Sequence, residues 1–246
     1  MIRPLIVVLG LLLGWEALVQ LLEIPGYILP GPTKVALSLH DNASLLWDNT
    51  LVTMTEMLLG LGLGVSFGVL LALLLVYFTN LRPWLLPLLL ITQAIPVFAL
   101  APILMLWFGY GLASKVVMTI LMIFFPVATC CYDGLRHTDK GWLEMSRTMG
   151  GNGFAILRYI RWPAALPALA SGLRVAVVVA PIGAVVGEWV GSSAGLGYMM
   201  MQANARLWVD QMFAALVVLA ICTVSLYFIT DHLLKKWIPW QTETAR

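Results

Sequence analysis

The chain has 246 residues, 61% of them hydrophobic and only 11% charged, with a mean hydropathy of +0.94. Such usage excludes an ordinary water-soluble domain, and a formal net charge of +2 gives no reason to expect a nucleic-acid partner. Apolar runs recur along nearly the whole length, each matching the roughly 20 residues that carry a helix across about 30 Å of hydrocarbon. No long soluble stretch remains for a separate catalytic domain, so function must reside in the bilayer or in short loops.

Six spans are expected, at Pro4–Leu22, Leu51–Phe78, Trp84–Phe108, Lys115–Tyr132, Ala165–Val190 and Gln211–Leu234. They predict an all-α polytopic membrane protein. Its expected divisions are 1–50 (first span and an outer interfacial segment), 51–240 (a core of five spans with a cytoplasmic loop at 134–164) and 241–246 (a C-terminal tail). With the N-terminus in the cytoplasm, eleven of the 14 basic residues fall inside, including Arg3 and Arg246, and only Lys34, Lys115 and Arg206 fall outside. That bias supports six crossings with both termini in the cytoplasm.

The first run, "PLIVVLGLLLGWEALVQLL", is read as a span rather than a cleaved leader. It is long for a leader's apolar segment, encloses Trp15 and Glu16, and lacks a small-residue cleavage site. Pro25, Pro30 and Pro32 then turn the chain out of the bilayer. Val35, Leu39, Leu45 and Leu46 follow at helical spacing, predicting a short helix lying at the outer interface. In span two, Gly60, Gly64 and Gly68 stand four apart, a seam that lets another helix approach closely.

Span three carries Pro87, Pro96 and Pro102, which bend or loosen a helix; a moving pathway and a static kink are equal readings. Gln93, Pro96 and Phe98 there, with Glu188 on span five, are candidates to line a central pathway, and packing accounts for each as well. Glu16 and Glu188 are acids at membrane depth, a costly placement that requires protein or water around them. The glycines of "GSSAGLG" after span five suit a tight re-entrant turn.

The search for chemistry finds little. The chain contains no Gly-Lys dipeptide, so no phosphate-cradling P-loop can form. Cys130, Cys131 and Cys222 make neither a disulfide framework nor a metal-ligand spacing, and His40, His137 and His232 share no depth on this topology. No cofactor, metal site or catalytic residue is expected. An ion-coupled carrier would need paired acids or inverted repeats, and only Glu16 and Glu188 stand out.

One stretch breaks the apolar pattern: "EMSRTMGGNGFAILRYIRWP", Glu144 to Pro163. Thr138 is expected to cap a helix running to Met149, the Gly150-Gly151 pair to break it, Asn152 to cap a second helix, and Trp162-Pro163 to stop that one after Ile160. Phe154, Leu157 and Ile160 recur three apart beside Arg158 and Arg161. A helix so patterned docks in a partner's groove or rests on lipid.

Glu144, Gly150, Ile160 and Pro163 fall on the pattern EAA, three residues, G, nine residues, I-x-L-P. The stretch therefore resembles the EAA loop of ABC importer permeases, departing from it at Met145, Ser146 and Trp162. "AIPVFALAPILMLWFGYG", "WPAALPALASGLR" and "GEWVGSSAGLGYMM" resemble the nitrate, sulfonate, taurine and pyrimidine-precursor branch. "FFPV", "YDGLR" and "APIGAVVGEWVG" add a likeness to hydroxymethylpyrimidine (thiamine precursor) permeases. The resemblance implies a type I importer permease with the MetI-like fold in a bacterial inner membrane. Its implied partners are a second copy of itself, cytoplasmic ABC ATPase subunits, a periplasmic or lipid-anchored substrate-binding protein, and membrane lipid. It also implies that Glu144, Gly150, Asn152, Phe154, Leu157, Ile160 and Pro163 couple the chain to the ATPases.

Overall fold

The computed structural model describes residues 2–240, with side chains from residue 6 onward. The 241–246 tail, Arg246 within it and the side chain of Arg3 lie outside the described residues. Among those described the chain is all-helical: α1 (Ile2–Leu21), α2 (Pro32–Asp41), α3 (Ala43–Tyr77), α4 (Arg82–Ala94), α5 (Val97–Phe108), α6 (Leu112–Arg136), α7 (Lys140–Thr148), α8 (Gly153–Ile156), a π turn (Leu157–Arg161), α9 (Trp162–Gly191), α10 (Leu196–Ala205) and α11 (Val209–Trp237).

Four helices are long and apolar enough to cross a bilayer: α3, α6, the continuous run Gly153–Gly191, and α11. The pair α4 and α5 makes a fifth if it counts as one span, and Ile6–Leu21 of α1 is a shorter apolar stretch. Six uninterrupted spans are thus not what the fold presents. The third expected span, Trp84–Phe108, is two helices bent by 98°. Proline chemistry sets the break: Ile95, before a proline, is driven to an extended conformation (φ −86°, ψ 120°), and Pro96 opens α5 from outside it.

The second expected span is longer than read, starting at Ala43 instead of Leu51. In its polar first turns the side chains bond back to the carbonyls one turn earlier. Asn49 Nδ2 donates to Leu45 O at 2.7 Å, and Thr50 Oγ1 to Leu46 O at 2.6 Å. Leu45 and Leu46 therefore belong to α3, and the short helix expected before span two is α2 alone.

Two compact units make up the chain. The first comprises Met1–Thr55 and Glu188–Cys222, with Val35, Leu46, Leu196, Met199, Ala214 and Ala215 in its core. Trp15 packs its ring on Phe213 at 5.7 Å. Glu16 finds its partners here: it accepts from Thr33 N at 3.1 Å, from Thr33 Oγ1 at 3.0 Å and from Gln20 Nε2 at 2.8 Å. Gly31, the residue capping α2, has no side chain to satisfy that helix's first amides, so the acid from α1 takes the task.

The second unit comprises Glu56–Gly187 and Thr223–Arg246. Its core is built where α3, α6 and α9 meet, around Leu75, Ile123, Val127, Leu135, Ala165 and Ala176. The glycine seam faces α6: a Cβ at Gly60 would lie 2.5 Å from Thr119, and one at Gly64 2.6 Å from Ile123. Gly62, on another side of the helix, meets nothing within 4 Å. Ion pairs neutralise charge inside this unit: Lys115 Nζ with Glu56 Oε1 and Arg174 Nε with Asp231 Oδ1, each at 2.7 Å, and Lys235 Nζ with Asp231 Oδ2 at 3.4 Å.

Candidate functional site

The loop between α6 and α9 is assembled from local signals. Asp139 caps α7, its Oδ1 accepting from Gly141 N at 2.7 Å and Trp142 N at 3.4 Å. Thr138, expected in that role, is buried and donates to Leu135 O at 3.3 Å. A carboxylate is also the better partner for the positive end of a helix. Helix α7 buries none of its residues, and Glu144, Trp142 and Met145 are all exposed on it.

The glycine pair divides its work. Gly150 sits at φ +81° in open space, so it is needed for its left-handed backbone. Gly151 is needed for room, since a Cβ there would lie 2.7 Å from Ser146 Oγ and 2.8 Å from Ser146 O. Asn152 then caps the next helix, its Oδ1 accepting from Ala155 N at 2.8 Å.

Trp162-Pro163 does not stop that helix. The chain runs on through the π turn into α9, giving one helix from Gly153 to Gly191. In the turn Trp162 N reaches back to Leu157 O, five residues away. That widening removes the collision a proline ring makes with the carbonyl four residues before it.

The residues named from the sequence separate by exposure. Phe154 is 62% exposed and Tyr159 71%, whereas Leu157 is half-buried against the core. Phe154 therefore stands out alone instead of beside Leu157. Two cavities flank the loop. One, of about 660 Å³, is apolar and is walled by Trp142, Met145, Tyr159, Ile160 and Pro163. The other, of about 590 Å³, contains Arg147, Arg161, Asn152, Phe154 and Leu157 together with Val76 and Tyr77 at the end of α3.

Of the four pathway candidates, Gln93, Pro96 and Phe98 gather at the α4–α5 break, all exposed. Glu188 belongs to the first unit and is wholly enclosed, with 0% exposure. Its carboxylate accepts from Thr53 Oγ1 at 2.6 Å, from Gly197 N, and from Tyr198 N at 3.2 Å. Thr53 Oγ1 in turn accepts from Leu196 N at 2.8 Å, and Asn49 Oδ1 from Gly195 N at 2.7 Å. The acid thereby fastens the turn before α10 to the first turns of α3. Gly195 holds φ +115°, and a side chain on it would overlap the Glu188 carboxyl group.

The cost of an acid at membrane depth predicts that Glu188 is surrounded by protein or water, and does not by itself single out Asn49 and Thr53. Their signal was present: two polar residues four apart, on one face at the head of an otherwise apolar helix. Among the described residues no three His, Cys, Asp or Glu side chains come together to hold a metal ion.

A family model described as binding-protein-dependent transport system inner membrane component matches residues 64–239. A probable ABC transporter permease protein of Haemophilus influenzae is 54% identical over 238 residues, 97% of each chain. The formylaminopyrimidine transport permease protein ThiX of Halalkalibacterium halodurans is 34% identical, covering 98% of this chain and 96% of its own. The riboflavin transport system permease protein RibX of Chloroflexus aurantiacus is 36% identical, covering 94% and 87%. Among solved structures, an inward-facing MetNI methionine ABC transporter aligns with a TM-score of 0.64 at 23% identity, over 79% of this chain and 94% of that one.

Proposed function

Because the chain belongs to the binding-protein-dependent transport system inner membrane component family, the permease subunits of ABC importers and not themselves enzymes, we propose that it carries a small heteroaromatic solute inward by alternating access. The first choice is hydroxymethylpyrimidine, a thiamine precursor. Two copies form the pathway in the bacterial inner membrane, each crossing six times with both termini in the cytoplasm. On this reading α1, whose apolar stretch Ile6–Leu21 is shorter than the others, makes the first crossing. Cytoplasmic ATPases drive the cycle, and a periplasmic or lipid-anchored binding protein delivers the solute. Taking a two-state equilibrium from 1:99 to 99:1 needs about 5.5 kcal/mol, which a chain without a P-loop draws from its partners.

The loop is the contact through which that energy enters. Gly150 and Asn152 set the direction of the helix, Glu144 and Phe154 present themselves outward, and Leu157, Ile160 and Pro163 hold its base. The divisions at 1–50, 51–240 and 241–246 serve, on this reading, as lead segment, permease core and tail. Gln93, Pro96 and Phe98 line the pathway at the break in span three, with Glu188 holding the outer turn.

One observation carries the choice of solute class. Arg174, the cation best placed in the sequence to line a route for sulfonate, taurine or nitrate, is committed to Asp231. The pyrimidine and riboflavin relatives support a ring solute, while an anion carrier of the sulfonate or taurine kind is the second reading. Reconstitution with the cognate ATPase and binding protein tests it. Hydroxymethylpyrimidine is expected to stimulate ATP hydrolysis and enter vesicles, and taurine not. Stimulation by taurine alone overturns the solute assignment. Uptake by this chain without an ATPase overturns the importer reading in favour of an ion-coupled carrier.

A further inference from the structure

We propose that the 590 Å³ cavity beside the loop holds the phosphate headgroup of an anionic phospholipid from the cytoplasmic leaflet, gripped by Arg147 and Arg161. The inference rests on the inside placement of the loop proposed above. Two guanidinium groups line the cavity and no carboxylate does. Arg161 Nε is buried and has no hydrogen-bond partner. A buried donor left unmet is unfavourable, and a charged one more so. Phosphate oxygens match the guanidinium fork in two parallel bonds.

Beside the two cations the lining includes the apolar side chains of Val76, Ile156, Leu157 and Phe154, with Tyr77 and Asn152 among them. Val76 and Tyr77 are the last residues of α3, a helix long and apolar enough to cross a bilayer, so the cavity lies at the end of that helix. A ligand that joins an anionic group to apolar chains, at the end of a membrane-length helix, is a phospholipid. Basic pockets between helices on the cytoplasmic side hold such headgroups elsewhere. An acidic side chain of a soluble partner would meet the cations but leave the apolar side chains bare. The π turn contributes as well, because Leu157 and Arg161, its first and last residues, both face the cavity.

The test uses the full transporter assembly in nanodiscs of phosphatidylcholine with or without phosphatidylglycerol, followed by native mass spectrometry. Phosphatidylglycerol is expected to stay bound, with R147Q/R161Q lowering its retention about a hundredfold, roughly tenfold for each charged hydrogen bond lost. R161K should retain an intermediate amount, and R206Q should behave as the parent. Thermal melting of each variant excludes loss through misfolding. Millimolar inorganic phosphate should not displace the lipid; displacement would assign the site to a soluble anion and overturn the proposal. Equal retention in parent and R147Q/R161Q overturns it too, as does a cross-link from residue 161 to an ATPase acid with no lipid retained. An assembly that imports solute yet retains no phosphatidylglycerol refutes this site and leaves the importer reading intact.

Discussion

The turn before α10 and the loop before α9 are both glycine-rich breaks between helices, and they spend their polar groups in opposite ways. Around Glu188, the amides of 195, 196, 197 and 198 are all satisfied inside the chain, by Asn49, Thr53 and the buried carboxylate. Around Gly150, the capping side chains Asp139 and Asn152 are themselves exposed and serve only their own helices. Large side chains such as Phe154 and Tyr159 face outward there, and Arg161 Nε has no partner. A closed network of bonds resists displacement, whereas an open face leaves its binding capacity for something else.

The contrast predicts a separation of phenotypes, and the widest lies in the loop. Replacing Phe154 and Leu157 together by alanine, or Gly150 by aspartate, should abolish solute-stimulated ATP hydrolysis by the assembly while the chain still inserts. Hydrolysis rates beside insertion assays read this, and unchanged stimulation would remove the loop from the coupling path. Next in size comes Glu188→Ala, which leaves the amides of Gly197 and Tyr198 without their acceptor and the Thr53 hydroxyl with only the Asn49 carbonyl. A loss of roughly 3–5 kcal/mol is expected, seen as a large fall in melting temperature in detergent. Gly195→Ala should act the same way by steric overlap at a left-handed backbone. If either variant melts like the parent, the two regions do not differ as described.

Smaller effects sharpen the comparison. Gly64→Ala should cost about 1–3 kcal/mol by overpacking against Ile123, while Gly62→Ala, with open space around it, should be neutral or gain up to about 1 kcal/mol in helix propensity. Equal melting of the two would show that the seam does not set the approach of α6. Smallest is Asn152→Ala, which removes one cap and should cost about 1 kcal/mol, with Asn152→Asp restoring most of it.

Much of this was legible in the residues because local rules and tertiary packing agreed. Helix period, the glycine seam and the Asn152 cap needed only neighbours in sequence. The errors arose where a local rule met a longer-range one. Pro163 reads as a helix stop until the π turn ahead of it makes room, and Pro96 reads as a kink until Ile95 is forced fully extended. Thr138 and Asp139 are both competent caps, and burial of the threonine decided between them. The amides of Gly197 and Tyr198 lie close to Glu188 in sequence, but its side-chain partner Thr53 stands 135 positions earlier and could not be read from those surroundings. Pairings of that range leave a polar pattern in the sequence and no address.

The family match begins at residue 64, which makes the opening stretch look like a detachable prefix. The hydrogen bonds from Thr33 to Glu16 argue otherwise. A chain shortened to begin after α1 would leave the Thr33 amide and hydroxyl at the start of α2 without their acceptor, so the truncation should loosen a second element as well as delete the first. Whatever is fused ahead of this protein has to leave those two turns able to find each other.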